Sequence, residues 1–291
     1  MRTLVWRYGA GYVVSEMVSS KPELWDTGKS RHRRVPVPGV TPVAIQLAGT
    51  DPAVISAAAR RHVDDGVQVI DLNFGCPAKK VCRKAAGSAL LGELDRVSAI
   101  VEAVATAVDV PVTVKTRTGL TPGDRLGHEA ARRAVAAGAQ MVVMHARSRQ
   151  CRFAGPVDYD AVAQPALGVP LLVNGDIEDA VTARAAMRQA GADGVMIGRA
   201  ALGQPWLFAV LQGAPEPTLA EKWAVIGEHL AMMHEFYGDH AGVRIARKHV
   251  QAYFQRLGCA DRLPAFQRME CPREQLRYVR NVGDSLLARA A

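Results

Sequence analysis

The sequence has few aromatic residues, 5% Phe, Trp and Tyr together, and only five cysteines among 291 residues. Those cysteines, at 76, 82, 151, 259 and 271, form an odd set with no Cys-x-x-Cys pair, so neither a disulfide framework nor a zinc ribbon is indicated. His229 and His234 stand five apart, on different sides of a helix, and HExxH is absent, so no metal site is predicted. No uninterrupted apolar stretch approaches the ~18 residues of a membrane span. The opening Met1–Arg7 lacks the apolar core of a secretory signal, and a cytoplasmic protein is expected. There is no Walker A sequence and no GxGxxG opening a helix after a strand, so neither a P-loop nor a Rossmann site is supported.

What is present is aliphatic. Hydrophobic residues make up 49% and charged residues 22%, the composition of an Ala/Val/Leu-filled α/β protein with room for one large domain and a smaller one. The net charge of +8 is unevenly placed: from Arg244 to Arg289 ten Arg/Lys face only four acids, Asp261, Glu270, Glu274 and Asp284. A basic tail suits a polyanion, most simply nucleic acid, although a solvated arginine-rich helical surface reads the same way.

One theme repeats along the chain: helical residues, a glycine-rich cap or a proline, then a continuous apolar strand. It predicts seven strands, around 12–17, 42–48, 67–73, 111–117, 141–147, 170–175 and 194–198. Strands apolar at every position are covered on both faces, which means a parallel sheet. Strand–helix alternation gives a parallel α/β barrel or a doubly wound sheet. A closed (β/α)8 barrel needs eight strands, so this TIM-type barrel is expected to lack its first strand in this chain. After the linker 213–217 the pattern changes to amphipathic helices over 218–237, 243–257 and 273–290. The expected division is an α/β barrel over 1–213 and a small all-helical domain over 218–291.

In a barrel the C-terminal strand ends converge on one mouth. Those ends carry Glu16, Gln46, Asn73 with Cys76, Lys115 with Arg117, His145 with Arg147, Asn174-Gly175-Asp176 and Gly198-Arg199. One such polar residue usually satisfies a neighbouring backbone group; seven strands ending this way indicate a site. The last two groups match the recurrent phosphate site at the end of a barrel, which favours a mononucleotide cofactor. Cys76 lies in Asn73-Phe74-Gly75-Cys76-Pro77, between a buried strand and the basic segment Lys79-Lys80-Val81-Cys82-Arg83-Lys84. This is a position for a reactive thiol rather than a packing group.

The run Asp71-Leu72-Asn73-Phe74-Gly75-Cys76-Pro77-Ala78-Lys79-Lys80-Val81, followed by Gly87-Ser88-Ala89-Leu90-Leu91, resembles the signature of the tRNA-dihydrouridine synthases, most closely the bacterial B-type branch. The similarity extends through Glu16–Ser20, Val43–Leu47, Val114–Arg117, His145–Arg147, Asn174–Ile177 and Gly198–Trp206. The resemblance implies an FMN-binding barrel followed by a helical tRNA-binding domain; a monomer is expected. By the same resemblance Gln46, Lys115, His145, Asn174, Gly175, Asp176, Gly198 and Arg199 would hold FMN, Asn73 would orient the uracil, and Cys76 would be the catalytic acid. NADPH would reduce the flavin, hydride would pass to uracil C6, and a thiol, mostly protonated at neutral pH, would protonate C5. The family's opening strand and its Pro-Met-Ala-Gly-Val-Thr-Asp-like end have no counterpart in this sequence. Two rivals are an FMN barrel oxidoreductase acting on a free pyrimidine, of the dihydroorotate-dehydrogenase kind, and an inactive RNA-binding remnant.

Overall fold

The computed structural model describes every residue except Asp26, Pro165 and Ala291, and the backbone but not the side chains of Lys29 and Ala290. The chain divides into two compact units. One is Gly11–Gly198; the other joins Met1–Ala10 to Arg199–Ala291.

The first unit holds seven parallel strands in strict sequence order: β1 Val18–Ser19, β2 Ala44–Ala48, β3 Val69–Asn73, β4 Val112–Arg117, β5 Met141–His145, β6 Leu171–Asn174 and β7 Gly194–Met196. Sequential parallel order with helices in the connections, all but that from β5 to β6 among the described residues, is the arrangement of a (β/α)8 barrel, here with seven strands. The local sequence explains where the crossovers start and stop. Asp51 accepts from the N–H groups of Ala53 and Val54 to open Pro52–Asp64, with Pro52 at the first turn. Asp179 and Thr182 form a capping box on Ala180–Ala190, and Gly191 ends it at φ 58°. The core beneath β1–β4 is aliphatic, with Ile45, Leu47, Ile70, Leu72, Ile100 and Val114 at 3% exposure or less.

The first predicted strand differs. Over 12–17 only an isolated bridge, Val14 to Ala44, forms, and the regular pairing begins at Val18. The cause is the Ser15 side chain, whose hydroxyl accepts from the Gln46 N–H at 3.0 Å, where a strand carbonyl would otherwise act.

In the second unit the segment expected as two helices is Leu219–Arg256, interrupted at Gly238 (φ 72°, ψ 170°), and Pro272–Ala290 packs along it. Leu4 from the opening helix Arg2–Arg7 joins Ile226, Leu230, Tyr253, Phe254 and Phe266 in its core. Short helices at Gly28–Arg34, Lys79–Cys82, Leu207–Leu211 and Leu263–Arg268 had no periodicity long enough to predict them. No helix among the described residues is long and apolar enough to cross a membrane.

Candidate active site at the strand ends

Parallel register brings the polar strand ends level. Asn73 pairs with Lys115, Arg117 with His145, His145 with Asn174, and Asn174 with Met196. Side chains separated by dozens of residues therefore meet in one layer.

Asn174 organises three of these strands. Its Oδ1 accepts from Lys115 Nζ at 3.1 Å and from His145 Nδ1 at 2.7 Å, while its Nδ2 donates to the Met196 carbonyl at 2.8 Å. Because Nδ1 carries the proton, the His145 Nε2 is an acceptor; it is buried with no hydrogen-bond partner among the described residues. Burial, with Lys115 and Arg117 nearby, lowers the His145 pKa to about 3, so the ring is neutral. Burial also lowers the Lys115 pKa to about 8; Arg117 adds to this, while Asp71 and Cys76 oppose it.

Cys76 is half-buried and its backbone is held on both sides. Its N–H donates to Asn73 Oδ1 at 2.9 Å, with the Gly75 N–H on the same oxygen at 3.2 Å. Its carbonyl accepts from the Ser88 N–H at 3.0 Å, the Ser88 hydroxyl at 2.9 Å and the Cys82 thiol at 3.5 Å. Two glycines permit this. A Cβ on Gly75 would lie 3.2 Å from the Thr116 carbonyl, and one on Gly87 (φ 62°) would lie 2.7 Å from the Cys76 carbonyl. Gly75 thus serves a close approach of β3's end to β4.

The sequence-predicted residues separate into groups. Cys76, Asn73 and Gln46 are linked by hydrogen bonds, the Gln46 Oε1 accepting from Asn73 Nδ2 at 2.7 Å. Lys115, His145 and Asn174 form the second group. Gly175 (φ 140°) and Asp176 (φ 42°) make the turn after β6, and Asp176 pairs with buried Arg147. A Cβ at Gly198 would meet nothing nearer than Asn174 Nδ2 at 3.8 Å, so its backbone is open to close approach. Arg199 begins the 3-10 helix Arg199–Gly203 of the other unit. Sequence reading gave no role to Asp71, Thr113 or Ser88, and placed Arg117 among the strand ends without assigning it one. For Asp71 the signal was present, a carboxylate inside an otherwise apolar strand.

Seven parallel strands with a thiol, a buried ammonium and a neutral imidazole at their C-terminal ends define an enzyme of the α/β-barrel class. The family model described as dihydrouridine synthase (Dus) matches residues 1–285. The chain is 44% identical over 285 residues to tRNA-dihydrouridine synthase B of Proteus vulgaris, covering 94% of this chain and 88% of that protein. The synthase B proteins of Pseudomonas putida KT2440 and Escherichia coli K12 are each 45% identical, over 96% and 94% of this chain and 86% and 89% of theirs. This chain belongs to the dihydrouridine synthase family.

Proposed function

We propose that this enzyme reduces the C5=C6 bond of specific uridines in tRNA to 5,6-dihydrouridine, with FMN as bound cofactor, NADPH as reductant and Cys76 as proton donor. The observation that carries the reading is a thiol whose backbone is fixed on both sides, at the end of the strand that pairs with the one bearing Lys115. The family membership and the synthase B relatives support the substrate.

The residues present fit FMN. His145 Nε2 is a buried acceptor without a partner among the described residues, and Lys115 Nζ gives one hydrogen bond to Asn174, leaving others to give. We assign Lys115, His145, Asn174 and Gln46 to the cofactor, with Gly175, Asp176, Gly198 and Arg199 at its phosphate end. Bound reduced FMN would supply hydride to uracil C6, leaving negative charge on C5 and O4. Cys76 gives its proton to C5 and regains one from water, so the sum consumes NADPH and one proton. The ammonium of Lys115 provides positive charge in a site where burial strengthens it. Asn73 is assigned to the uracil through the second Nδ2–H that its protein contacts leave.

Bringing a uridine out of its stack costs a few kcal/mol, offset by cationic contacts to the RNA backbone. Lys79, Lys80, Arg83 and Lys84 are exposed on the short helix and turn after Cys76, as are Arg244, Lys248, Arg268, Arg273, Arg277 and Arg280 on the helical segments after 218. We assign 1–213 to catalysis and 218–291 to tRNA binding.

The test is dihydrouridine formation in unmodified tRNA, read by nucleoside mass spectrometry, with wild type and Cys76→Ala. Product is expected only with tRNA and NADPH, and Cys76→Ala should abolish it while flavin and tRNA binding persist. Undiminished product from Cys76→Ala would reject the proton-donor assignment; turnover of a free pyrimidine without tRNA would reject the substrate.

A further inference from the structure

Asp71 lies in the middle of β3, is 1% exposed, and has no direct contact with Cys76 in the hydrogen-bond network. Its Oδ1 accepts from the Thr113 hydroxyl at 2.6 Å and its Oδ2 from Gln46 Nε2 at 2.6 Å. Gln46 Oε1 then accepts from Asn73 Nδ2 at 2.7 Å, and Asn73 Oδ1 accepts from the N–H groups of Cys76 and Gly75 at 2.9 and 3.2 Å. This is a continuous chain from a carboxylate to the thiol-bearing loop.

The two ends of the chain fix its direction. A carboxylate only accepts, and a backbone N–H only donates. Between them stand two side-chain amides, each of which could sit with oxygen or nitrogen first. Only one combination matches every donor to an acceptor, and it puts the Asn73 oxygen on the loop. If the acceptor at the Asp71 end is removed, Gln46 is free to turn over. Asn73 must follow, and then its NH2 opposes the N–H groups of Gly75 and Cys76, which leaves buried donors unpaired. Gln46 and Asn73 are themselves 8% exposed, so water cannot readily repair the mismatch.

We propose that Asp71 is a positioning residue for the reaction, setting the place of Cys76 through the one-way relay Gln46–Asn73. The proposal rests on the reading of Cys76 as proton donor. Burial raises its pKa to about 6, with the hydrogen bonds from Gln46 and Thr113 and the charge of Lys115 opposing a larger rise, so the carboxylate is ionised at neutral pH. The titratable groups acting on it are Lys115 from β4 and Tyr12 ahead of β1; burial and Asp71 raise the Tyr12 pKa, so the phenol stays neutral.

The experiment is amide hydrogen exchange on the flavin-loaded protein, resolved at Gly75 and Cys76, for wild type, Asp71→Leu and Asp71→Asn. Asp71→Leu should raise exchange at both amides at least tenfold, with 112–117 and 141–145 changed less than twofold. Asp71→Asn, which can still accept from Gln46 while its NH2 turns to the Thr113 oxygen, should stay within threefold of wild type. In single turnover at saturating tRNA, Asp71→Leu should slow flavin reoxidation at least tenfold more than it slows flavin reduction by NADPH. Should Asp71→Leu not fold, Asp71→Ala, which removes the acceptor without added bulk, should show the same selective rise in exchange at Gly75 and Cys76. Unchanged exchange at these amides, or an equal rise throughout β4 and β5, overturns the relay. Selective exchange with unimpaired reoxidation overturns the positioning role. Failure of the Cys76 reading shows separately, as full activity in Cys76→Ala.

Discussion

Arg117 Nε donates to the Gly75 carbonyl at 2.6 Å, tying the end of β4 to the residue immediately before the thiol. The same guanidinium, 2% exposed, gives Nη1 to the carbonyls of Ser148 at 3.1 Å and Arg152 at 2.8 Å. One planar fork therefore joins the Cys76 loop to the loop after β5. Burial lowers its pKa to about 10, so it remains charged at neutral pH.

Lysine cannot reproduce that fork. Arg117→Lys should leave at least one of these carbonyls unsatisfied and cost about 2–3 kcal/mol, read from the denaturant midpoint. Dihydrouridine formation should fall by at least tenfold in the folded variant.

Gly87→Ala places a methyl 2.7 Å from the Cys76 carbonyl and forces alanine to φ 62°. The left-handed conformation alone costs about 1–2 kcal/mol, and the clash must move either Ser88 or Cys76. Turnover with tRNA is expected to drop at least tenfold while flavin reduction by NADPH persists. Equal losses in both half-reactions would place the damage outside the Cys76 loop.

Lys115 gives a pH signature. With a pKa of about 8 in the folded protein, its positive charge is lost as pH rises past that value. The rate of flavin reduction by NADPH should therefore decline with a midpoint near pH 8, and Lys115→Met should be slow throughout and lack that limb. Following the reductive half-reaction alone keeps thiol titration out of the measurement. For stability the sign is opposite: the folded pKa lies below the ordinary 10.5, so burying the charged form costs stability that returns above pH 8.

His62 predicts acid sensitivity. It is 1% exposed, and burial, then Arg34, lowers its pKa to about 4. The folded protein binds fewer protons than the unfolded chain between about 6.5 and 4, so stability falls as pH drops through that window. At pH 5 the loss from this residue is on the order of 2 kcal/mol. His145 acts in the same direction with its pKa of about 3. Asp71 acts oppositely, because its pKa of about 6 lies above the ordinary carboxylate value and stability is gained as pH falls from 6 towards 4. His62→Phe should flatten the fall in melting temperature between pH 7 and pH 5; an unchanged slope would assign the acid loss elsewhere.

Much of the fold was legible because covered parallel strands must be apolar throughout, and glycine and proline mark their ends. Strands 42–48 and 111–117 were readable almost to the residue, as Ala44–Ala48 and Val112–Arg117 show. The first strand was misplaced because a serine hydroxyl entered the ladder, and hydropathy carries no information about that substitution. Gly238 was legible as a gap between helices, but not as a residue that lets one continue into the next.

The sequence by itself determined the period of the α/β repeat, the set of polar strand ends and the thiol with its flanking glycine and proline. These are local matters of hydrophobic pattern and backbone freedom. Which polar groups touch was decided by the tertiary structure alone. Register between strands places Asn174 on Lys115 and His145, and puts Asp71 at the far end of the chain of amides that reaches Cys76. Hydrogen-bond direction depends on neighbours 25 to 59 residues away, and no local pattern in the chain encodes those distances.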